Sequence, residues 1–276
     1  MNKSEILEII KTYGLAPNKK FGQNFLIDEN IIQKITDVSH PDKKRILEIG
    51  PGLGSITYPL AQKALLYSAI EIDSGFVRYL QDTFSSFNSV SIIHGDFLKC
   101  NLEDKFDIII SNLPYTSASE ILFRIAKDFN AQSIFVMLQK EMADRIMSHP
   151  GSKIYGPLAV TLSYYFDSKA LFNISGESFY PKPDVKSSFL QLTRKKRYFA
   201  NRAHEDTFHL VVKSAFWGRR KTILKSLSES PHMELNRDRV KEILDSSNIR
   251  HNIRSEMLTL EDFIKLTESM ITVNEW

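Results

Sequence analysis

The chain has 276 residues, 42% of them hydrophobic and 25% charged, a balance that excludes wholesale disorder and gives enough length to bury a sizeable core. Its single cysteine, Cys100, excludes an internal disulfide and a four-thiolate zinc site; a reducing, cytoplasmic setting with no metal is expected. No apolar run reaches membrane-spanning length, the amino-terminal MNKSEILEIIKTYG lacks a signal peptide's unbroken apolar core, and the formal net charge of +3 selects no partner.

In chain order, short β-branched runs alternate with longer amphipathic stretches from residue 45 to about 192. RILEI (45–49), YSAIEI (67–72), VSIIH (90–94), FDIIIS (106–111) and SIFVML (133–138) predict buried strands. Segments 55–64 and 74–84 predict crossover helices, so the pattern is that of an open α/β sheet, mostly parallel and covered on both faces. ALFNIS (170–175) and SSFLQLT (187–193) flank a proline-containing connection and suit an antiparallel pair, while 158–166 suits either a helix or a strand, with the helix preferred. Beyond RKKR (194–197) the apolar residues fall at helical spacing: Phe208, Val211, Val212 and Ala215; Ile223, Leu224 and Leu227; Val240, Ile243 and Leu244; Phe263, Ile264 and Leu266. Thr259 and Asp262 have capping-box spacing. Two domains are expected, an α/β domain over 1–195 and a small all-helical one over 196–276.

Charge is distributed unevenly between them. From Lys182 to Lys225 there are 12 Lys and Arg against 3 Asp and Glu, a local charge of +9, so the remainder sums to −6. Such a run is ordinarily a solvated face, but here it straddles the start of the second domain.

ILEIGPGLG (46–54) places Gly50, Gly52 and Gly54 between a buried strand and a helix, where they let the backbone turn tightly and approach a ligand. The dinucleotide fingerprint G-x-G-x-x-G is not met, because the third glycine position is Ser55. Glu48, just ahead of the loop, suits a ligand with a cationic amino-acid end better than a pyrophosphate. Glu71 closes the second strand, where a carboxylate can accept ribose hydroxyls in dehydrogenases and in S-adenosylmethionine-dependent methyltransferases alike. Asp96 follows the third strand and can accept from an adenine amino group, with Phe97 against the ring. Taken singly, each acid also suits a helix cap or a turn. Together they occupy the carboxyl ends of successive strands, the edge where open α/β sheets bind ligands.

SNLPY (111–115) follows the fourth strand, beside that site. A sulfonium methyl donor needs no acid for its leaving group; the difficulty is the acceptor. An exocyclic adenine nitrogen is planar because its lone pair is delocalised. The Asn112 side-chain oxygen and the backbone carbonyl of Leu113 or Pro114 would accept its two N–H bonds. That favours a tetrahedral nitrogen and stabilises the positive charge developing on it. Pro114 presses Leu113 into an extended conformation, and Tyr115 can stack on the base.

With FGQNFL (21–26), EIGPGLG (48–54), EID (71–73), GDFL (95–98), NLPY (112–115), MLQKEMADRI (137–146), FYPKPDV (179–185), FWGRRKT (216–222) and LTLEDFIKL (258–266), nearly the whole chain resembles the ribosomal RNA adenine dimethyltransferases, in particular those of the bacterial small subunit. The resemblance implies a class I S-adenosylmethionine-dependent methyltransferase fold, a Rossmann-like, mostly parallel sheet with an antiparallel last strand, and a helical carboxyl-terminal domain. It also implies dimethylation at N6 of two adjacent adenosines in a hairpin near the 3′ end of 16S ribosomal RNA. By the same resemblance Gln23, Asn24, Leu26, Gly50, Gly52, Glu71, Asp96, Phe97 and Asn112 would hold the donor, and Phe179 would face Tyr115 across the target base. TSAS (116–119) and GES (176–178) depart from the family's usual residues, which bears on loop shape more than on chemistry.

The basic strip then becomes the expected RNA contact: Arg194, Lys195, Lys196, Arg197, Arg219, Arg220, Lys221 and Lys225 would supply phosphate attraction, with folded RNA shape selecting the adenosines. The expected partner is small-subunit RNA in a 30S particle or its precursor, bound by a monomer without membrane attachment. Competing readings are a large-subunit methyltransferase of the erythromycin-resistance type, an assembly factor acting mainly by binding, and a nicotinamide-dependent oxidoreductase. Ser55 and NLPY count against the last.

Overall fold

A computed structural model describes residues 3–15, 24–103, 105–114, 116–218 and 220–274. The chain divides into two compact units: residues 1–143 with 167–194, and residues 144–166 with 195–276. Residues 144–166, assigned by sequence to the first domain, therefore group with the second unit.

The first unit begins with helix α1 (Lys3–Thr12), a two-residue strand β1 (Phe25–Leu26) and helix α2 (Glu29–Ser39). Its main sheet runs β4-β3-β2-β5-β6-β9-β7. The strands are β2 (Arg45–Ile49), β3 (Leu66–Glu71), β4 (Val90–His94), β5 (Ile108–Asn112), β6 (Ser133–Gln139), β7 (Phe166–Ile174) and β9 (Ser187–Arg194). β2 through β6 pair in parallel, and β9 runs antiparallel to β6 in continuous register from Ser133↔Thr193 to Gln139↔Ser187. The two runs expected to pair near the end of this unit are β7 and β9, neighbours in the sheet. Central strands are buried without a break, as at Ile108, Ile109 and Ile110, because helices cover both faces; edge strand β4 is only half-buried.

The crossover helices are short and amphipathic. The expected helix over 55–64 contracts to α3 (Thr57–Ala61), since Ser55 and Ile56 complete the turn from the glycine loop. α4 (Ser74–Thr83) starts at Asp73, whose carboxylate accepts the Gly75 and Phe76 N–H groups. α5 (Ala118–Asp128) buries Ile121, Leu122 and Ile125 at helical spacing, and α6 (Lys140–Ile146) follows β6. β1 pairs antiparallel with β8 (Phe179–Tyr180), a contact too short to show as periodicity. Asp28 reinforces it: the same carboxylate caps α2 and accepts the Ser178 hydroxyl at 2.9 Å.

In the second unit α7 (Pro157–Tyr165) has proline in its first turn and is buried along most of its length. It joins α8 (Arg202–Ala215), α9 (Ile223–Ser228), α10 (Arg237–Ser246) and α11 (Leu260–Asn274). Tyr164 stacks on Phe208 at 4.6 Å and on Phe199 at 6.1 Å, and Phe216 stacks on Phe263 at 5.7 Å. The capping box is present: the Thr259 N–H donates to the Asp262 carboxylate, and the Asp262 N–H donates to the Thr259 hydroxyl. Among the described residues no helix is long and apolar enough to cross a membrane.

Candidate active site

A cavity opens at the carboxyl ends of β2, β3, β4 and β5, with Asn24, Leu26, Gly50, Gly52, Glu71, Asp96, Phe97, Asn112 and Pro114 among its lining residues. Each strand delivers one turn to it. After β2 the chain reverses through Gly50 at φ +69° and Gly52 at φ +57°, conformations that L side chains resist. A Cβ on Gly50 would meet no protein atom within 4 Å, so the cavity lies open in front of it; one on Gly52 would press against the Phe25 ring at 3.2 Å.

Glu71, 4% exposed, orders this loop. Its Oε2 accepts the Gly52 N–H at 3.1 Å, and Oε1 accepts Ile72 and Asp73 N–H groups at 2.8 and 2.9 Å. Burial pushes its pKa up against the opposing pull of these donors. Three of its roughly four acceptor directions are thereby used. Asp96 folds the turn after β4, accepting the Leu98 N–H on its side chain and the Lys99 and Cys100 N–H groups on its carbonyl, all at 2.9 Å. Phe97 stacks on Phe129, with ring centroids 5.6 Å apart.

Glu48 lies deeper. Its Oε2 accepts the Thr57 hydroxyl at 2.5 Å and the Tyr67 hydroxyl at 2.7 Å, joining β2, α3 and β3. Full burial raises its pKa to about 7, with Glu71 adding repulsion and the two hydroxyls opposing the shift. A carboxyl raised in the folded state stabilises the fold while protonated and loses that contribution as pH rises towards its folded pKa. Glu48→Gln, which keeps an oxygen for both hydroxyls, should equal the parent's stability at pH 4.5 and exceed it by about 3 kcal/mol at pH 8. Melting curves of both proteins from pH 4.5 to 8 check this; parallel curves would remove the proposed burial cost.

At the end of β5 the Asn112 Nδ2 donates to the Asn24 carbonyl at 2.9 Å, which turns the side chain's oxygen away from that bond. The Leu113 N–H donates to Met137 at 3.1 Å, and the Pro114 carbonyl accepts the Ser117 N–H at 3.3 Å as α5 begins. Phe179 is not drawn into the cavity wall. Its ring is 3% exposed in the core with Phe25 and Leu26, the residue it faces in register. Gln23, Tyr115 and Arg219 lie outside the described residues.

Three carboxylates line the cavity, and its described lining includes no Lys, Arg or His. That charge pattern misfits a pyrophosphate and fits S-adenosylmethionine, which combines a sulfonium, an ammonium, a ribose diol and an adenine. The model for the family described as ribosomal RNA adenine dimethylase matches residues 14–266. The chain belongs to that family. A ribosomal RNA small subunit methyltransferase A from Listeria monocytogenes is 37% identical over 273 residues, covering 94% of this chain and 92% of its own. Two solved structures share the fold. A dimethyladenosine transferase from Plasmodium falciparum has a TM-score of 0.78 at 23% identity, covering 91% of this chain and 98% of its own. The 23S rRNA methyltransferase ErmE has a TM-score of 0.66 at 24% identity, covering 90% and 100%.

The basic segment of this dimethylase-family chain is not one solvated face. Arg194 turns its guanidinium onto the carbonyls that end α5, donating to Ala126 at 2.8 Å, Ile125 at 3.0 Å and Phe129 at 2.6 Å. Lys195 does the same at the end of α7, its Nζ reaching the Ser163 carbonyl at 2.9 Å. Arg197 pairs at 3.1 Å with Glu205, which is 1% exposed, and lies over the Tyr165 ring. Lys196, Arg220 and Lys225 are exposed; Lys221 meets Glu229 in a surface pair at 2.6 Å. The sequence also withheld two features of the site: Thr57 and Tyr67 as partners of Glu48, and Arg124 behind Phe97.

Proposed function

We propose that this chain uses S-adenosylmethionine to dimethylate N6 of two adjacent adenosines in a hairpin near the 3′ end of small-subunit ribosomal RNA. It would act as a cytoplasmic monomer on a 30S particle or its precursor, within small-subunit biogenesis. The observation that carries the reading is the acidic cavity adjoining Asn112, with no Lys, Arg or His in its described lining. The 37% identity to a small subunit methyltransferase A supports the small subunit over the large; the fold is common to both kinds of enzyme and does not discriminate.

Bound in the cavity, the donor supplies an electrophilic methyl on a sulfonium leaving group. Glu48 would face its ammonium end, the remaining oxygen direction of Glu71 would take a ribose hydroxyl, and Asp96 with Phe97 would hold the adenine. Gly50 and Gly52 allow the loop's close approach, with Asn24 and Leu26 closing the other side. For the acceptor, the Asn112 oxygen takes one N6–H. The Leu113 carbonyl is the better second acceptor, because that of Pro114 is engaged by Ser117. With Asn112 and Leu113 holding the acceptor nitrogen, its lone pair would take the methyl while the donor sulfur keeps the bonding electron pair, and the N6 proton, acidified by the transfer, would pass to solvent. By its place in the NLPY motif, Tyr115 would stack on the base. Phe179 supports the Leu26 wall from the core, an indirect part in the clamp.

Residues 196–276 are proposed to grip RNA through Lys196, Arg219, Arg220, Lys221 and Lys225, whereas Arg194, Lys195 and Arg197 serve chiefly to build the fold. Arg220→Glu with Lys225→Glu should weaken 30S binding about tenfold or more at physiological salt, with the affinity for S-adenosylhomocysteine unchanged. Filter binding and calorimetry separate the two, and unaltered particle binding would count against this surface. The function itself is tested with labelled donor and unmethylated 30S and 50S particles, followed by mapping of the modified base. Label in 30S dimethyladenosines is expected; label confined to 50S particles would overturn the assignment.

A further inference from the structure

The turn that carries Asp96 and Phe97 is a single tight loop with little of its own to hold it. Its internal hydrogen bonds return to Asp96, the Gly95 N–H at its start donates to the Glu71 carbonyl at 2.9 Å, and it closes so sharply that a Cβ on Gly95 would run into the Cys100 sulfur. What fixes its far end from outside is Arg124, on α5. The Arg124 Nη2 donates to the Cys100 carbonyl, the last of the turn, and its guanidinium carbon lies 4.8 Å from the centre of the Phe97 ring. Its Nε faces Asp128 at 3.8 Å, one turn further along the same helix. The side chain is only 17% exposed, and Nη1 is buried without a hydrogen-bond partner among the described residues. Burying a guanidinium with an unsatisfied nitrogen is costly, so the contacts it does make must hold it in place. Phe129, at the end of α5, completes the support by stacking on Phe97.

α5 also starts immediately beyond Asn112–Pro114 and places Ile121 in the cavity wall. One helix therefore backs both the turn proposed to read the donor's adenine and the motif proposed to receive the target adenine.

We propose that Arg124 is a positioning residue for donor recognition: by clamping the Cys100 carbonyl and the Phe97 ring, it sets the Asp96 carboxylate where it meets the 6-amino group of the donor's adenine. This rests on the reading of Asp96 and Phe97 as the adenine contacts. Arg124 touches neither the donor nor the target base, so its effect falls on discrimination between bases.

Calorimetric binding of S-adenosylhomocysteine and of its inosine counterpart, which carries a 6-oxo group, tests this without turnover. In the parent protein the adenosine compound should bind more tightly, and Asp96→Ala should abolish the preference. Arg124→Leu, which keeps apolar cover over Phe97 but loses the clamp, should reduce the preference about tenfold, the scale found when a group behind a binding residue is removed. Arg124→Lys, able to reach the same carbonyl and ring, should restore much of it. Equal weakening of both compounds in Arg124→Leu, with the preference intact, would assign Arg124 to stability alone and overturn the proposal. If Asp96→Ala leaves the preference unchanged, the reading of Asp96 is wrong and the proposal falls with it. Melting temperatures of all variants show whether Arg124→Leu is folded; if it is not, Arg124→Met, which keeps a long stem over Phe97 without the donor to Cys100, decides, a lowered preference supporting the clamp and a parental one overturning it.

Discussion

Asn112→Ala should reduce methyl transfer by about a hundredfold to a thousandfold, the cost of removing one preorganised group aimed at charge developing in a transition state. Asn112 has two separable duties. Its Nδ2 holds the Asn24 carbonyl at 2.9 Å, which ties the amino-terminal wall of the cavity to the end of β5. Its oxygen is proposed to accept from the attacking N6, where it matters more in the transition state than in the ground state. Alanine removes both. One hydrogen bond to Asn24 is worth about 1 kcal/mol, so donor affinity should fall only several-fold while the chemical step collapses. Asn112→Asp dissects the pair further: it retains oxygen acceptors but sets a carboxylate against the Asn24 carbonyl, so donor binding should suffer more than in alanine. Single-turnover rates on 30S particles, with calorimetric donor binding, measure the two effects separately. Near-normal turnover in Asn112→Ala would refute the proposed acceptor role.

Glu71→Gln should weaken S-adenosylhomocysteine binding by about a hundredfold and lower stability by about 2–4 kcal/mol. The change is small in shape and large in polarity. The carboxylate accepts N–H groups from Gly52, Ile72 and Asp73 on its two oxygens, so whichever position the amide NH2 takes, it faces a backbone donor. At least one nearly buried N–H is left unpaired, and the Gly52 turn loses the contact that holds it at positive φ. Donor binding then suffers twice, through the ribose contact and through the displaced loop. Thermal melting and calorimetry check both parts. A variant that melts lower yet binds with parental affinity would reduce Glu71 to a purely structural support.

How much of this was legible beforehand follows from physical differences among the residues. Strands such as Arg45–Ile49 and Ile108–Asn112 were readable because parallel strands buried on both faces must be continuous β-branched runs. The glycine loop, Glu71, Asp96 and Asn112 were readable together because each falls at the carboxyl end of a strand, and the sheet brings those ends to one cavity. The direction of a long charged side chain was not. Nothing in RKKR distinguishes a guanidinium seated on the end of α5 from an ammonium in water, as with Arg194 and Lys196, because both outcomes suit a polar residue after a strand. Grouping of 144–166 with the carboxyl-terminal helices was equally hidden. Pro157–Tyr165 is apolar nearly all round, so its pattern separates helix from strand poorly and offers no single face that would reveal its partner. Arg124 escaped for the same reason as Arg194.

The inward-turned cations also change what the formal charge of the basic segment means. Phosphates are recognised by cations whose counterions can be released, and each contact contributes to the slope of affinity against salt. Arg194, Lys195 and Arg197 have exchanged part of their hydration for protein oxygens, and Lys221 already shares its charge with Glu229. The segment's +9 therefore overstates its electrolyte sensitivity. The RNA grip proposed for it should depend less steeply on ionic strength than a count of basic residues implies, with correspondingly more of the affinity carried by the fit between folded surfaces.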